Sequence, residues 1–349
     1  MKKNKLFRKK EKFLFSICVP VYNGAKVIIP TLNSILSQSY KKIEVIIVND
    51  RSKDNTGEVI KKIKDKRIKY FENIVNLGYS KNIEECRKKA KGDIVYLMGQ
   101  DDILADGALM DTYNAFMISE NIGAVTRPYF WFDENIRVPV RAKSPMNLNK
   151  DEIVTINDNF EKIILMLHTL DQLSGLAYRR KYIDMSFHED VFPCHVYPFF
   201  SIFKKYKVVF LKDYNIAVRI STSQTRSLSS IYCKSPMRSW KEMFDNLLPE
   251  KKYKKLRNYL IKNFVAKNYV GLVQIRNYAH PGYFYREVYY LLKYRWQNIF
   301  ELNFWFYTVG CFIIPPSLLI PLVDWYKNNI HAKRLPSIKF KYSLGEVIR

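Results

Sequence analysis

Short apolar runs alternate with amphipathic stretches through the first hundred residues. Phe13 to Val21 (FLFSICVPV) is apolar and β-rich, which predicts a buried strand. Tyr22-Asn23-Gly24 breaks it as a turn. Between Lys26 and Gln38 the apolar residues Ile28, Ile29, Leu32, Ile35 and Leu36 recur at helical spacing. Ile43 to Val48 predicts a second buried strand, ended by Asn49-Asp50 and the polar loop Arg51 to Thr56. Glu58 to Lys66 then reads as helix, Ile68 to Phe71 as strand and Ser80 to Ala90 as helix. Ile94 to Met98 reads as a fourth strand, running into Gln100-Asp101-Asp102. Strand and helix alternating at this interval predict an α/β unit with a largely parallel sheet. Ligands of such sheets sit beyond the carboxyl ends of the strands. Here polar loops follow three of those ends, at Val21, Val48 and Met98.

The pattern loosens over 110–230. Gly123 to Trp131 predicts a strand and Val138 to Asp158 an irregular excursion. Phe160 to Leu170 has helical periodicity, and Lys207 to Leu211 and Ile216 to Ile220 are short strands. From Trp240 onward the pattern is helical, with Lys, Arg and Tyr interleaved. Three units follow: a basic tail 1–12, a domain 13–235 and a helical region 236–349. Residues 302–323 carry no charge and are long enough to cross a bilayer. Pro315, Pro316 and Pro321 would interrupt a spanning helix, which argues for an interfacial or re-entrant helical pair. A single transmembrane helix and a helix buried in the fold are the alternatives.

Charge adds a partner to this picture. The formal net charge is +25, and the chain holds 25 Tyr and 22 Phe. Such a balance suits a polyanion, either nucleic acid or an anionic membrane surface. No nucleic-acid-binding module is present in the pattern, whereas Tyr283 to Trp296 (YFYREVYYLLKYRW) has an interfacial composition. Lys327, Lys333 and Arg334 just beyond the uncharged run suit lipid phosphate. The expected partner is therefore a membrane surface, not nucleic acid. Five cysteines, scattered and never in a CxxC pair, fit a reducing compartment. The basic N-terminus leads into a patterned strand and does not read as a signal peptide.

Three constellations carry chemistry. Adjacent Asp101 and Asp102 repel unless a cation lies between them and a ligand, and oxygen ligands suit Mg²⁺ or Mn²⁺. A solvated turn is the alternative. Asp50, ending a buried strand, can accept a hydrogen bond from a base or ribose, or can cap the next helix. Gly78 lets the backbone approach a ligand closely, with Asn82 one turn on, or simply makes a turn.

The runs VPVYNG, IEVIIVNDRSKDNT and NLGYSKNIEECRKKAKGDIVYLMGQDD together resemble family 2 glycosyltransferases of the GT-A fold, over roughly residues 13–110. The resemblance implies an inverting transferase that moves a sugar from a nucleotide diphosphate to a hydroxyl. It implies that Pro20, Val21 and Tyr22 line the base pocket and that Asp50 pairs with the nucleobase. It also implies that Gly78 and Asn82 lie near base and ribose, that Asp101 faces ribose or metal, and that Asp102 holds Mg²⁺ or Mn²⁺ on the diphosphate. The family commonly has Asp-x-Asp-Asp at this strand end, and here Gly99 replaces the leading acid. Residues 111–235 would then form the acceptor side. Ser174-Gly175-Leu176-Ala177 resembles the stretch before the family's base, which makes Asp190 the favoured base, with Glu189 next and His195 third. The aromatic segment around them could form an acceptor platform. Arg219, Ser221, Ser223, Gln224 and Arg226 could hold the diphosphate or close over it. With the basic C-terminal region, the resemblance points to a lipid-linked saccharide acceptor at the cytoplasmic face of a bacterial membrane. A nucleotidyltransferase, or a non-catalytic polyanion binder on a decayed transferase fold, are the alternatives.

Overall fold

The four apolar runs of the N-terminal half are strands β1 (Phe15–Val21), β2 (Ile43–Asn49), β3 (Ile68–Glu72) and β4 (Ile94–Leu97). They belong to a computed structural model that describes residues 11–222, 226, 229–332, 335 and 338–343. Ser223, Gln224, Lys333, Arg334 and most of the basic tail lie outside the described residues. Helices α1 (Ile28–Leu36), α2 (Thr56–Lys61) and α3 (Tyr79–Lys89) connect these strands. All of β4 and nearly all of β1 and β2 are buried, because helices cover both faces of the sheet.

Downstream lie β5 (Ile103–Leu104), α4 (Ala108–Met117), β6 (Ile122–Thr126) and β7 (Tyr129–Phe132). Next come β8 (Pro139–Lys143), β9 (Glu152–Val154), α5 (Phe160–Leu167) and β10 (Ala177–Arg179). The series ends with α6 (Val196–Phe203), β11 (Lys207–Phe210) and β12 (Ile216–Arg219). The large sheet has eight strands in the order β3-β2-β1-β4-β10-β6-β11-β9. Its first half, β3 to β4, is parallel. The largely parallel expectation fails beyond β4, where β10 runs antiparallel to both β4 and β6, and β9 antiparallel to β11. The chain enters β10 from α5 and the segment 168–176 and fills the place between β4 and β6 in the opposite direction. The central sheet is mixed.

A second sheet, β5-β12-β7-β8, stands beside the first. The single strand expected over Gly123 to Trp131 is in fact β6 and β7, one in each sheet. Pro128 separates them, since it has no N–H to give a ladder. The excursion expected over Val138 to Asp158 contains β8 and β9. The aromatic segment after Phe192 is a helix, α6, with Tyr197, Phe199 and Phe200 in the core, while Val191, Phe192 and His195 just before it line a cavity.

The C-terminal region is helical: α7 (Pro236–Leu247), α8 (Lys254–Asn263), α9 (Val270–Tyr278), α10 (Pro281–Tyr294), α11 (Leu302–Ile313) and α12 (Pro316–Tyr326). One buried apolar cluster runs from Val95 and Leu97 of β4 through Phe199 of α6 to Leu291, Phe304 and Leu319. The division placed near residue 235 thus falls within a shared core. The uncharged run breaks at Ile314, because the residue before a proline avoids the helical region and Pro316 fits a first turn. Its helices have 12 and 11 residues, each well short of the ~30 Å hydrocarbon core at ~1.5 Å per residue. Among the described residues no helix is long and apolar enough to cross a membrane.

Candidate active site

The ends of β1 and β2 lie side by side, with Pro20 opposite Val48 and Val21 opposite Asn49. Asp50 N–H donates to the Val21 carbonyl at 2.8 Å, which sets Asp50 beside Tyr22. The Asp50 carboxylate is buried and shapes the third loop. Leu77 N–H and Asn73 Nδ2 donate to Oδ1, and Gly78 N–H to Oδ2, each at 2.8 Å. A carboxylate accepts about four hydrogen bonds, so roughly one site stays open to a ligand. Gly78 has φ +83°, and open space lies where a Cβ would project. Asn82, one turn into α3, ties back to the Val48 carbonyl at 3.1 Å. Arg51, immediately after Asp50, sits at φ 58° and Asn23 at φ 50°, in the left-handed region that non-glycine residues seldom occupy outside functional loops.

The carboxyl end of β4 crosses from the large sheet into the small one, and the acidic pair lies at that crossing. Asp102 is buried. Its Oδ2 accepts from the Ser174 hydroxyl, and its Oδ1 accepts from Arg219 N–H at the end of β12 at 3.0 Å. Asp101 accepts from the Thr222 hydroxyl. No cation of the described residues forms an ion pair with either acid. Burial holds both carboxyls above the ordinary range, and the charge of Asp101 raises Asp102 further. A like-charged pair of oxygen ligands, Asp102 buried and Asp101 half-buried, unpaired by protein cations, fits a divalent ion that takes its remaining ligands from diphosphate and water. Gly99 also has its explanation here. A Cβ at 99 would sit 2.8 Å from Asp102 Oδ2 and 3.1 Å from Ser174 Oγ. The space a leading acid would need is filled by Ser174.

Gln100 anchors the loop after β1, accepting from Tyr22 N–H at 2.9 Å and donating to the Tyr22 carbonyl at 3.1 Å. Arg219 lies over the Phe132 ring at 4.7 Å and donates to the Asp133 carbonyl, while its buried Nε has no partner among the described residues.

One cavity of about 2130 Å³ is lined by Pro20, Val21, Tyr22, Asp50, Gly78, Asn82, Asp101, Asp102 and Arg219. These nine expected donor and metal residues thus share one space, and Arg226 lines it too, whereas Ser221 does not. Of the three expected bases, two do not line it. Asp190 is held by Lys234 Nζ at 2.7 and 2.5 Å, and Glu189 is exposed beside Lys81 at 3.5 Å; neither lines the cavity. His195 does line it, but Nε2 lies 2.8 Å from the Leu170 carbonyl and Nδ1 3.7 Å from Cys194 Sγ. Burial pushes its imidazole down to about 4. Sequence reasoning missed Ser174, Gln100 and Thr222 as partners of the site. Ser174 alone carried a signal, in the SGLA run, but was read as a lead-in to a base. It also missed Asp171, which lines the cavity, accepts from the Tyr129 hydroxyl and lies 3.5 Å from Lys143.

The family profile described as Glycosyl transferase family 2 matches residues 16–186. An uncharacterized glycosyltransferase of Haemophilus influenzae is 30% identical over 183 residues, covering 51% of this chain and 71% of that protein. The chain belongs to the family 2 glycosyltransferases, and it is a glycosyltransferase. Escherichia coli WfaP, a UDP-Glc:α-D-GlcNAc-diphosphoundecaprenol β-1,3-glucosyltransferase, is 40% identical over 89 residues, covering 26% of this chain and 36% of that one. In fold, the chain is similar to Staphylococcus aureus TarS 1-349 in complex with UDP-GlcNAc, with a TM-score of 0.60, 17% identity and coverage of 89% and 92% of the two chains. The fold is α/β and GT-A-like.

Proposed function

We propose that this enzyme transfers a sugar, with inversion, from a uridine-diphosphate sugar to a hydroxyl of a lipid-linked saccharide, using Mg²⁺ or Mn²⁺. The observation that carries this reading is the Asp101-Asp102 pair, opening on the same cavity as Tyr22, Asp50 and Gly78. The uridine assignment draws on the UDP-sugars named for WfaP and TarS.

The loops ending β1 and β2 bind base and ribose, with the remaining acceptor site of Asp50 on the base and the gap at Gly78 admitting it. Asp102 and Asp101 would hold the divalent ion, whose charge stabilises the diphosphate as it leaves. Ser174 and the Arg219 amide orient Asp102, and the unpartnered Arg219 Nε reaches for a phosphate oxygen.

The attacking hydroxyl must lose a proton. Of the carboxylates lining the cavity, Asp50 is occupied by its loop, Asp101 and Asp102 face the diphosphate, and Glu287 is buried against Ser235 and Arg286. Asp171 remains, and we give it the role of base. Although burial opposes its charge, Lys143 and the Tyr129 hydroxyl hold its carboxyl below the ordinary range, so it is ionised near neutral pH.

We place the enzyme on the cytoplasmic face of a membrane. Support comes from Phe306, Phe312, Ile313 and Leu318, which α11 and α12 expose with Trp305 and Trp325 beside them. The cysteines are unpaired, as suits a reducing side. Flotation with anionic vesicles tests the placement: Phe306→Ser with Phe312→Ser should leave the protein at the bottom of the gradient, and flotation equal to the parent's would refute it. Release of UDP from UDP-sugars, screened one by one with Mn²⁺, tests the donor; no release with any of them would refute the reading.

A further inference from the structure

The cavity extends beyond the sugar site. Asp102 lines it, and so do Trp305, Leu319 and Leu322 of the C-terminal helix pair. Arg141, Arg226 and Lys327 line it as well. Lys327 Nζ is 3.5 Å from the Asp324 carboxylate, and Arg226 reaches the same carboxylate at 3.8 Å. Arg141 lies over the Trp131 ring at 4.1 Å. The turn Lys327–His331 packs against β8, which carries Arg141. Two cations thus meet at one carboxylate, with Arg141 on the strand packed beside them, leaving a surplus of positive charge on the wall of a partly apolar cavity.

That surplus is costly as it stands. Burial and the nearby Arg226 and Arg141 push the Lys327 ammonium down, against the pull of Asp324. A solvated surface would relieve such charge with water, whereas here the adjoining wall is tryptophan and leucine. An anion attached to an apolar chain satisfies both surfaces at once. We propose that Arg141, Arg226 and Lys327 form the subsite for the phosphate of a lipid-linked acceptor, whose chain lies along α11 and α12 and whose saccharide points to Asp102. This rests on the transferase reading and specifies how its acceptor is held. It also gives the exposed helix pair a task besides adhesion: it delivers the lipid end of the acceptor to the cations.

The probe is farnesyl phosphate, titrated into the full chain with UDP and Mn²⁺ saturating the donor site, and followed by tryptophan fluorescence. Farnesol and inorganic phosphate are the controls. Farnesyl phosphate should bind about tenfold or more tighter than either control. Arg141→Gln with Lys327→Gln should weaken farnesyl phosphate by about tenfold and leave farnesol and UDP within about twofold. Arg141→Lys with Lys327→Arg should restore binding, which guards against misfolding. Farnesol binding as well as farnesyl phosphate would reduce the site to an apolar groove and overturn the proposal. Inorganic phosphate binding as tightly would make it a free-phosphate site, with the same consequence. Failure of the transferase reading would show separately, as absence of UDP binding by the parent.

Discussion

Ser174 donates its hydroxyl to the carboxylate of Asp102 across 72 residues of chain, and Gly99 lies against both. The site proposed for the metal is therefore a three-residue fit. Gly99→Ala places a methyl 2.8 Å from Asp102 Oδ2, against two groups fixed by hydrogen bonds. Metal-dependent UDP binding should fall by about tenfold or more while the fold persists, because a one-atom insertion into a packed site typically costs ~1–3 kcal/mol. Calorimetry with and without Mn²⁺, beside a thermal melt, checks this; Gly99→Ala binding like the parent would contradict the fit.

Asp50 holds its loop and, in the proposed reading, the ligand as well. Asp50→Asn keeps one oxygen but turns an amide donor toward the N–H of Leu77 or Gly78. Losing a charge-assisted bond and burying facing donors should cost roughly 2–3 kcal/mol of stability. Urea unfolding should show that loss, and UDP affinity should drop with it. A variant that loses UDP but keeps full stability would assign Asp50 to the ligand alone.

Asp171 and Asp190 compete as base, and their positions separate them. Asp171→Asn should retain UDP binding and lose transfer by about a hundredfold or more, the usual scale of general-base removal. Asp190→Asn breaks the contact with Lys234 and should cost stability with transfer largely kept. The reverse pattern would move the base to Asp190.

His195 gives the enzyme an acid limit. Its folded value, about 4, lies below the ~6.5 of an unfolded histidine. The unfolded chain thus takes up the proton first, so the stabilisation is complete above pH 6.5 and is lost as the pH falls toward 4. At ~1.4 kcal/mol per unit the loss reaches roughly 3 kcal/mol. His195→Gln can still donate to the Leu170 carbonyl and does not titrate. Its stability should change less over this range, by urea unfolding at several pH values. Equal slopes for variant and parent would show that His195 is not the titrating group.

The parallel half of the fold was legible because β1, β2 and β4 are buried on both faces and so read as unbroken apolar runs. Asp50 and the Asp101-Asp102 pair were legible for a related reason, since each is the first acidic position after such a run. The second half hid its strands in short pieces. β10 has three residues, and Pro128 alone marks where β6 leaves off and β7 joins another sheet. α6 was concealed by composition, since eight consecutive buried residues show no polar face. The partnership of Ser174 with Asp102 arises from the antiparallel placement of β10 beside β4, which no local spacing encodes.

The central claim is that Asp102 and Asp101 hold a divalent ion on the diphosphate of a bound nucleotide. Calorimetric titration of UDP into parent and Asp102→Ala, with Mn²⁺ and then with chelator, tests it most directly. Saturable binding by the parent with Mn²⁺, lost on chelation and in Asp102→Ala, is the predicted result. UDP binding of equal strength in all of these conditions would contradict it.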